Sequence, residues 1–224
     1  MVNNSTIFQI IIQYTNLFNA SILNYFMDYK EETRKVYDAF PGYFDEKFEG
    51  YKNQVINDEL DEATRHFPIN ARILDLGSGT GNHASFFQQR GYRVLCLDNS
   101  KAMLKKCREK GLACVLMDFE SLGFQENSFD VIWAYTSLLH VPKSNVARVI
   151  QSIKSAIKPE GFFGVSFKEG DGEGFVDFAQ GGKRWFSHYK DTEVRGLLKD
   201  FQIVRHWRSC IGDKVFLDYL CRRA

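Results

Sequence analysis

Ile73-Leu74-Asp75-Leu76-Gly77-Ser78-Gly79-Thr80-Gly81-Asn82-His83 is the stretch that decides the fold. A short apolar run carries an acid near its end, and three glycines follow at every second position. A run of this length reads as a buried strand of a parallel sheet. Glycines directly behind a strand permit a tight turn and let a ligand lie against bare backbone. The pattern predicts a helix from Asn82 to about Arg90, whose free N–H groups and positive dipole end face that ligand. The stretch thus builds a nucleotide-type pocket at the carboxyl end of a strand. A dinucleotide turn has Gly-x-Gly-x-x-Gly, whereas here the third glycine comes one residue early, at Gly81. Asp75, two residues before the first glycine, would crowd a pyrophosphate and suits a cationic group.

An acid followed by Gly-x-Gly-x-Gly resembles the first motif of the class I S-adenosylmethionine-dependent methyltransferases. Their cofactor carries a sulfonium and an ammonium and no phosphate, which fits Asp75. Working outward, Tyr92–Asp98 reads as a second buried strand, and Asp98 at its tip can accept ribose hydroxyls, as in nicotinamide enzymes. Ser100 can cap the next helix, which buries Met103, Leu104 and Cys107. A third strand, Ala113–Met117, leads to Asp118-Phe119, where the resemblance implies an acid on the adenine amine and an apolar ring cover. Three successive strands ending in Asp75, Asp98 and Asp118 converge on one sheet edge. Ser128–Tyr135 resembles the family's Phe-Asp-x-Val motif and runs into Thr136-Ser137-Leu138-Leu139-His140, like its Leu-x-His. Lys158-Pro159-Glu160-Gly161 before a fifth strand, Gly161–Lys168, is also similar to the family.

The resemblance covers about residues 36–222 and implies an α/β fold of the class I, Rossmann-like type. Its seven-stranded, mostly parallel sheet has helices on both faces and an antiparallel last strand. It implies S-adenosyl-L-methionine held by Asp75, Gly77, Ser78, Gly79, Gly81, Asp98, Asn99, Met103, Asp118, Phe119 and Ala134. Tyr37, in a Tyr-Asp…Tyr-Asp segment like that of many small methyltransferases, joins Tyr135, His140, Arg184 and Tyr189 as substrate candidates. His140 and Tyr135 are the candidates for a catalytic base. The Asn/Asp-Pro-Pro-aromatic and Pro-Cys patterns of nucleic-acid methylating enzymes are absent.

With 224 residues and a net charge of +1, the chain reads as one domain with no sequence-wide attraction to nucleic acid or membrane. Residues 1–26 carry no Lys, Arg, Asp or Glu and are too broken by Asn and Gln for a signal peptide or a membrane span. They read as an amphipathic accessory helix or, by preference, as an extension upstream of a native start at Met27, with Met1 left open as the start. The domain then divides into a helical cover (27–70), a cofactor core (71–168) and a substrate-side insert with a final hairpin (169–224). Helices are expected over Glu31–Phe40 and Phe44–Phe67, the latter with a stripe of Phe44, Phe48, Tyr51, Val55, Leu60, Ala63 and Phe67. Glu169–Gly174 reads as a glycine-rich rim loop, too acidic to cradle phosphate. Gly181–Tyr189 is an aromatic-basic insert.

The five cysteines show no zinc spacing, and Cys96 and Cys114 read as apolar core residues of a cytoplasmic protein. No metal is expected. The activity implied is methyl transfer to a small-molecule acceptor, with transfer RNA and its wobble-uridine carboxylate as the alternative suggested by the Arg-aromatic-aromatic run at Arg184. A nicotinamide oxidoreductase and a noncatalytic adenosine-binding module are the rivals. The oligomeric state is open.

Overall fold

The computed structural model describes residues 28–50 and 54–224. The extension 1–26, Tyr51 and the side chains of Phe48 and Val55 lie outside the described residues.

Asp28 starts the chain's first described helix, α1 (Tyr29–Ala39), by accepting from the Lys30 and Glu31 N–H groups. Across the expected Phe44–Phe67 helix the described residues form α2 (Pro41–Gly50) and α3 (Gln54–Thr64), with 51–53 outside the described residues. Pro41 at the first position of α2 costs no hydrogen bond, since that N–H has no helical partner. Then strand and helix alternate: β1 (Arg72–Leu76), α4 (Asn82–Gln89), β2 (Arg93–Asp98), α5 (Lys101–Glu109), β3 (Ala113–Leu116), β4 (Phe129–Ala134), α6 (Lys143–Ala156) and β5 (Ile157–Glu169). The chain ends with β6 (Glu173–Asp177), β7 (Lys183–Tyr189), α7 (Asp191–Leu197), β8 (Gln202–Ile211) and β9 (Lys214–Arg222).

The sheet runs β3-β2-β1-β4-β5 in parallel, and β9 pairs antiparallel with β5 and with β8. That is the expected mostly parallel sheet with antiparallel last strands. The expectation of seven strands omits a hairpin: β6 and β7 bring the described strands to nine. The end of the expected rim loop, Glu173–Gly174, and Lys183–Tyr189 of the insert are therefore strand, with Phe175 opposite Trp185, while Gly170 and Asp171 stay a bend. Beyond Val165, where β4 ends, Lys168 and Glu169 of β5 pair with His188 and Tyr189 of β7. Lys168 still faces Phe216 of β9 on its other edge. The hairpin thus continues the place β4 vacates, beside the carboxyl ends of the parallel strands.

Strand alternation sends successive side chains into two layers. Leu74, Leu76, Ile132 and Ala134 point one way, onto Val146, Val149, Ile150 and Ile153 of α6. Ile73, Val131 and Trp133 point the other way, onto Leu60 and Ala63 of α3 and Phe87 of α4. Gly164 lies opposite Trp133, and a Cβ there would sit 2.0 Å from the indole, so the bare backbone is what lets the ring lie flat on the sheet.

Candidate active site

The glycine loop closes at the tip of β1. Gly77 and Ser78 both donate to the Leu97 carbonyl of β2, at 2.8 and 2.9 Å. Gly77 has φ 71°, and a Cβ on it would press to 2.5 Å from Ser137 Cβ. Nothing lies within 4 Å of a Cβ on Gly79, whose bare face opens on the cleft. The cleft measures about 530 Å³, and Asp75, Asp98 and Asp118 all line it.

The three acids differ in their surroundings. Asp75 is buried and keeps Oδ2 without a partner, so desolvation holds its pKa well above the carboxylate range. Asp98 accepts from Gly79 N–H (2.9 Å) and Ser100 N–H (2.8 Å), while burial pushes it up to about 6. Asp118 caps a 3-10 turn (Phe119–Ser121) and pairs with Lys30 at 2.7 Å. Ser137 Oγ and Asn82 Nδ2, also in cleft-lining residues, are buried without partners.

Helix α1 covers the cleft with Tyr29, Lys30, Thr33 and Tyr37. Its hold on the domain is apolar through Val36, which packs on Met103 and Phe178, and polar through its other residues. Tyr29 donates to Glu120 at 2.5 Å, and Asp38 accepts from the Ser100 hydroxyl (2.7 Å) and the Ala102 N–H (3.2 Å). Trp185 in β7 donates its N–H to Thr33 and accepts from His140 Nδ1 at 2.5 Å. That carbonyl fixes the His140 proton on Nδ1, so Nε2 accepts from Tyr37 Oη at 2.8 Å. Arg184 in turn donates to Tyr37 Oη at 3.1 Å. Burial lowers His140 to about 3, and both its nitrogens are engaged. It is a neutral strut rather than a free base.

On the far side of the glycine loop, Trp133 and Tyr135 stack at 5.3 Å with their planes 3° apart. Trp133 donates its indole N–H to His83 Nδ1 at 3.1 Å, and burial lowers His83 to about 4. His83 is therefore neutral, with its proton on Nε2, and it lines the cleft. Tyr135 donates to Glu59 Oε2 at 2.6 Å, and desolvation pushes Glu59 up to about 7. Asp218 behind them is fully buried and raised, again by burial, and accepts from Ser209.

Gly77, Ser78, Gly79, Asn99, Phe119, Tyr37, Tyr135 and His140 line the cleft with the acids. Five expected site residues do not. Gly81 (φ 81°) packs the loop onto α5, where its Cβ would meet Leu112 at 2.5 Å and Cys107 at 2.9 Å. Met103 is buried against Val36, Phe44 and Phe178. Ala134 follows Ile132 into the opposite layer. Tyr189 is 2% exposed and packs on Phe167, in the core. Arg184 stands behind Tyr37, its guanidinium 5.0–5.5 Å from the rings of Tyr37, Phe44, Phe178 and Phe186.

Sequence reasoning passed over Glu59, His83, Glu120 and the α1 residues Tyr29, Lys30 and Thr33. His83 sits just past the third glycine and could have been found there. Glu59 lies in Asn57-Asp58-Glu59-Leu60-Asp61-Glu62, which reads as a solvated helix face.

The residues present fit S-adenosylmethionine. An unpartnered carboxyl oxygen on Asp75 and an open glycine backbone suit a cationic ligand without phosphate. Residues 73–161 match the family model described as a methyltransferase domain. The chain is 35% identical over 99 residues (40% of its length) to a glycine/sarcosine/dimethylglycine N-methyltransferase of Actinopolyspora halophila. It is 32% identical over 111 residues (46% of its length) to a sarcosine/dimethylglycine N-methyltransferase of Aphanothece halophytica. It spans 17% and 39% of those two relatives. Among solved structures it resembles a Burkholderia thailandensis 1,6-didemethyltoxoflavin-N1-methyltransferase, with TM-score 0.70 and 20% identity over 88% of this chain and 89% of that one. The magnesium protoporphyrin IX methyltransferase of Synechocystis gives TM-score 0.67 and 16% identity over 88% and 98%. These two likenesses carry the fold. Residues 73–161 thus carry a methyltransferase domain, and the sheet around them has the class I S-adenosylmethionine-dependent methyltransferase fold.

Proposed function

We propose that the protein transfers the methyl group of S-adenosylmethionine to a small-molecule acceptor, and that the accepting atom is a neutral nitrogen. One observation carries the choice of acceptor: the two cations that line the cleft are both neutralised. Lys30 pairs with Asp118, and Arg90 pairs with Asp61, each at 2.7 Å. A carboxylate or phosphate acceptor would meet acids rather than a free cation. The carboxylate alternative leaned on Arg184, which donates to Tyr37 and does not line the cleft. The names of two curated relatives, both N-methyltransferases, support nitrogen as the accepting atom.

When bound, the cofactor supplies an electrophilic methyl on a sulfonium. Asp98, Asp75 and the Gly77–Gly79 backbone bind and orient it, and α1 excludes water from above. Alignment and desolvation are sufficient sources of rate for such a displacement. His83 Nε2–H and the Tyr135 ring bound the acceptor side. Glu59, poised near 7 one hydrogen bond behind Tyr135, is a group that can hold the proton an amine acceptor releases.

The test offers methyl-labelled S-adenosylmethionine with amines, carboxylic acids and transfer RNA in parallel. Label in an amine product is expected. Label in a base-labile ester or in RNA would overturn the nitrogen assignment. Tight S-adenosylhomocysteine binding with no turnover on any acceptor would favour the noncatalytic reading.

A further inference from the structure

We propose that Cys96, Cys107 and Cys114 form a three-sulfur site for a soft metal ion, monovalent copper by its chemistry, and that the site is coupled to the cofactor loop. No part of this rests on the methyl acceptor. The sequence gives no metal-ligand spacing because the cluster is tertiary. Cys96 of β2 and Cys114 of β3 are register partners on adjacent parallel strands, and Cys107 reaches them from α5. The three sulfur atoms all lie within 4.8 Å of one another. Metal–thiolate bonds of about 2.3 Å put the sulfurs of a trigonal site about 4 Å apart, so a modest contraction closes it.

The donor set selects the ion. Among the described residues no histidine or carboxylate groups with the three sulfurs, so four-coordinate zinc would lack a protein ligand. Thiolates without nitrogen or oxygen partners suit monovalent copper. On binding, three S–H bonds give way to three S–Cu bonds and the protons pass to solvent. No electron moves. Cys96 and Cys107 are buried, and half-buried Cys114 on the outermost strand of the sheet gives the ion its way in.

The coupling runs through Cys107, whose thiol donates to the Gly79 carbonyl at 3.2 Å. Gly79 N–H in turn holds Asp98. Metal binding takes the thiol proton, ends that hydrogen bond and sets a sulfur ligand against a carbonyl oxygen. The glycine loop then loses its support from below.

The test titrates reduced protein anaerobically with monovalent copper buffered by bicinchoninate. It reads copper uptake, X-ray absorption at the copper edge, and S-adenosylhomocysteine affinity by calorimetry. Stoichiometric uptake with three sulfur neighbours is expected in the wild type and in Cys210→Ser, which removes an exposed cysteine outside the cluster. Cys114→Ser should weaken uptake by roughly tenfold or more. Copper-loaded protein should bind S-adenosylhomocysteine roughly tenfold more weakly. Copper left on the chelator, fewer than three sulfur neighbours, or uptake lost in Cys210→Ser would overturn the site. Unchanged S-adenosylhomocysteine affinity on loading would overturn the coupling. The absorption measurement uses the wild type, so the site stays testable even if Cys114→Ser fails to fold.

Discussion

The two ends of the cleft are built on opposite principles. At the cofactor end polar groups are left waiting: Asp75 Oδ2, Asn82 Nδ2 and Ser137 Oγ are buried without partners. At the acceptor end the cleft-lining side chains already hold one another, and the unpartnered atoms, Arg184 Nε and Asp218 Oδ1, stand behind them. Trp133 donates to His83, Tyr135 to Glu59, and Tyr37 to His140. Unpaired buried groups cost free energy that a ligand recovers on binding, so the first end is committed to one ligand. The second end spends little on any single acceptor and presents flat aromatic surface with few free donors. That contrast explains why the cofactor class is legible while the acceptor is set by the surroundings of a few paired side chains.

The largest effect is expected at the cofactor end. Asp98→Ala removes an acceptor for ribose hydroxyls and also the anchor of Gly79 N–H. We expect S-adenosylhomocysteine affinity to fall by about 3 kcal/mol, roughly a hundredfold, by calorimetry on folded protein. Unchanged affinity would erase the distinction between the two ends.

Much of the fold and most of the cofactor end could be read from the chain, for a local reason. Asp75 and Asp98 lie at the carboxyl ends of β1 and β2 and Asp118 two residues past β3, so the strand pattern alone puts them at one edge. Ala134 and Met103 were misplaced because proximity in sequence does not say which layer a side chain enters. Lys183–Tyr189 is a strand rather than a loop over the cleft: Tyr189, like Ser187, faces the core, while Arg184 on the other face is taken up by Tyr37 and the rings around it. Glu59 and His83 were missed because their significance is tertiary: one needs Tyr135 from β4, the other Trp133. The cysteine triad illustrates the same limit, since no spacing joins 96, 107 and 114.

The buried acid of the acceptor end gives the next largest effect, with a definite pH sense. Folded Glu59 holds its proton up to about 7, against an ordinary value of 4.5. The folded state therefore binds more protons than the unfolded chain between those values. Its stability falls as pH rises through that window, and the penalty is complete above 7. Glu59→Gln removes the titration. We expect it to stabilise the protein by about 2 kcal/mol at pH 8 and by nothing measurable at pH 4, read from denaturant unfolding. An equal effect at both pH values would mean that Glu59 does not carry this proton.

His83 tests whether the acceptor end is separable. His83→Gln keeps an acceptor for Trp133 and moves the donor that borders the acceptor. KM for an identified acceptor should rise about tenfold, with S-adenosylhomocysteine affinity unchanged. A matching loss of cofactor affinity would instead place His83 with the waiting groups.

The smallest effect is expected at Arg184, and it is the most diagnostic. The guanidinium touches neither cofactor nor acceptor in this arrangement; it fixes the Tyr37 hydroxyl, which fixes His140, which fixes the β7 backbone at Trp185. Arg184→Met keeps the apolar stem among Phe44, Phe178 and Phe186 and removes only the donor. Turnover should fall about fivefold, near 1 kcal/mol, because α1 covers the cleft less often in the reactive alignment. S-adenosylhomocysteine affinity should stay level. Tyr37→Phe breaks the same chain one link later, so it should cost about as much alone, and the double variant should cost little more than either. Additive losses in that cycle would show that Arg184 and Tyr37 act separately. Arg184 would then have a role of its own toward the acceptor, and the carboxylate reading would regain its anchor.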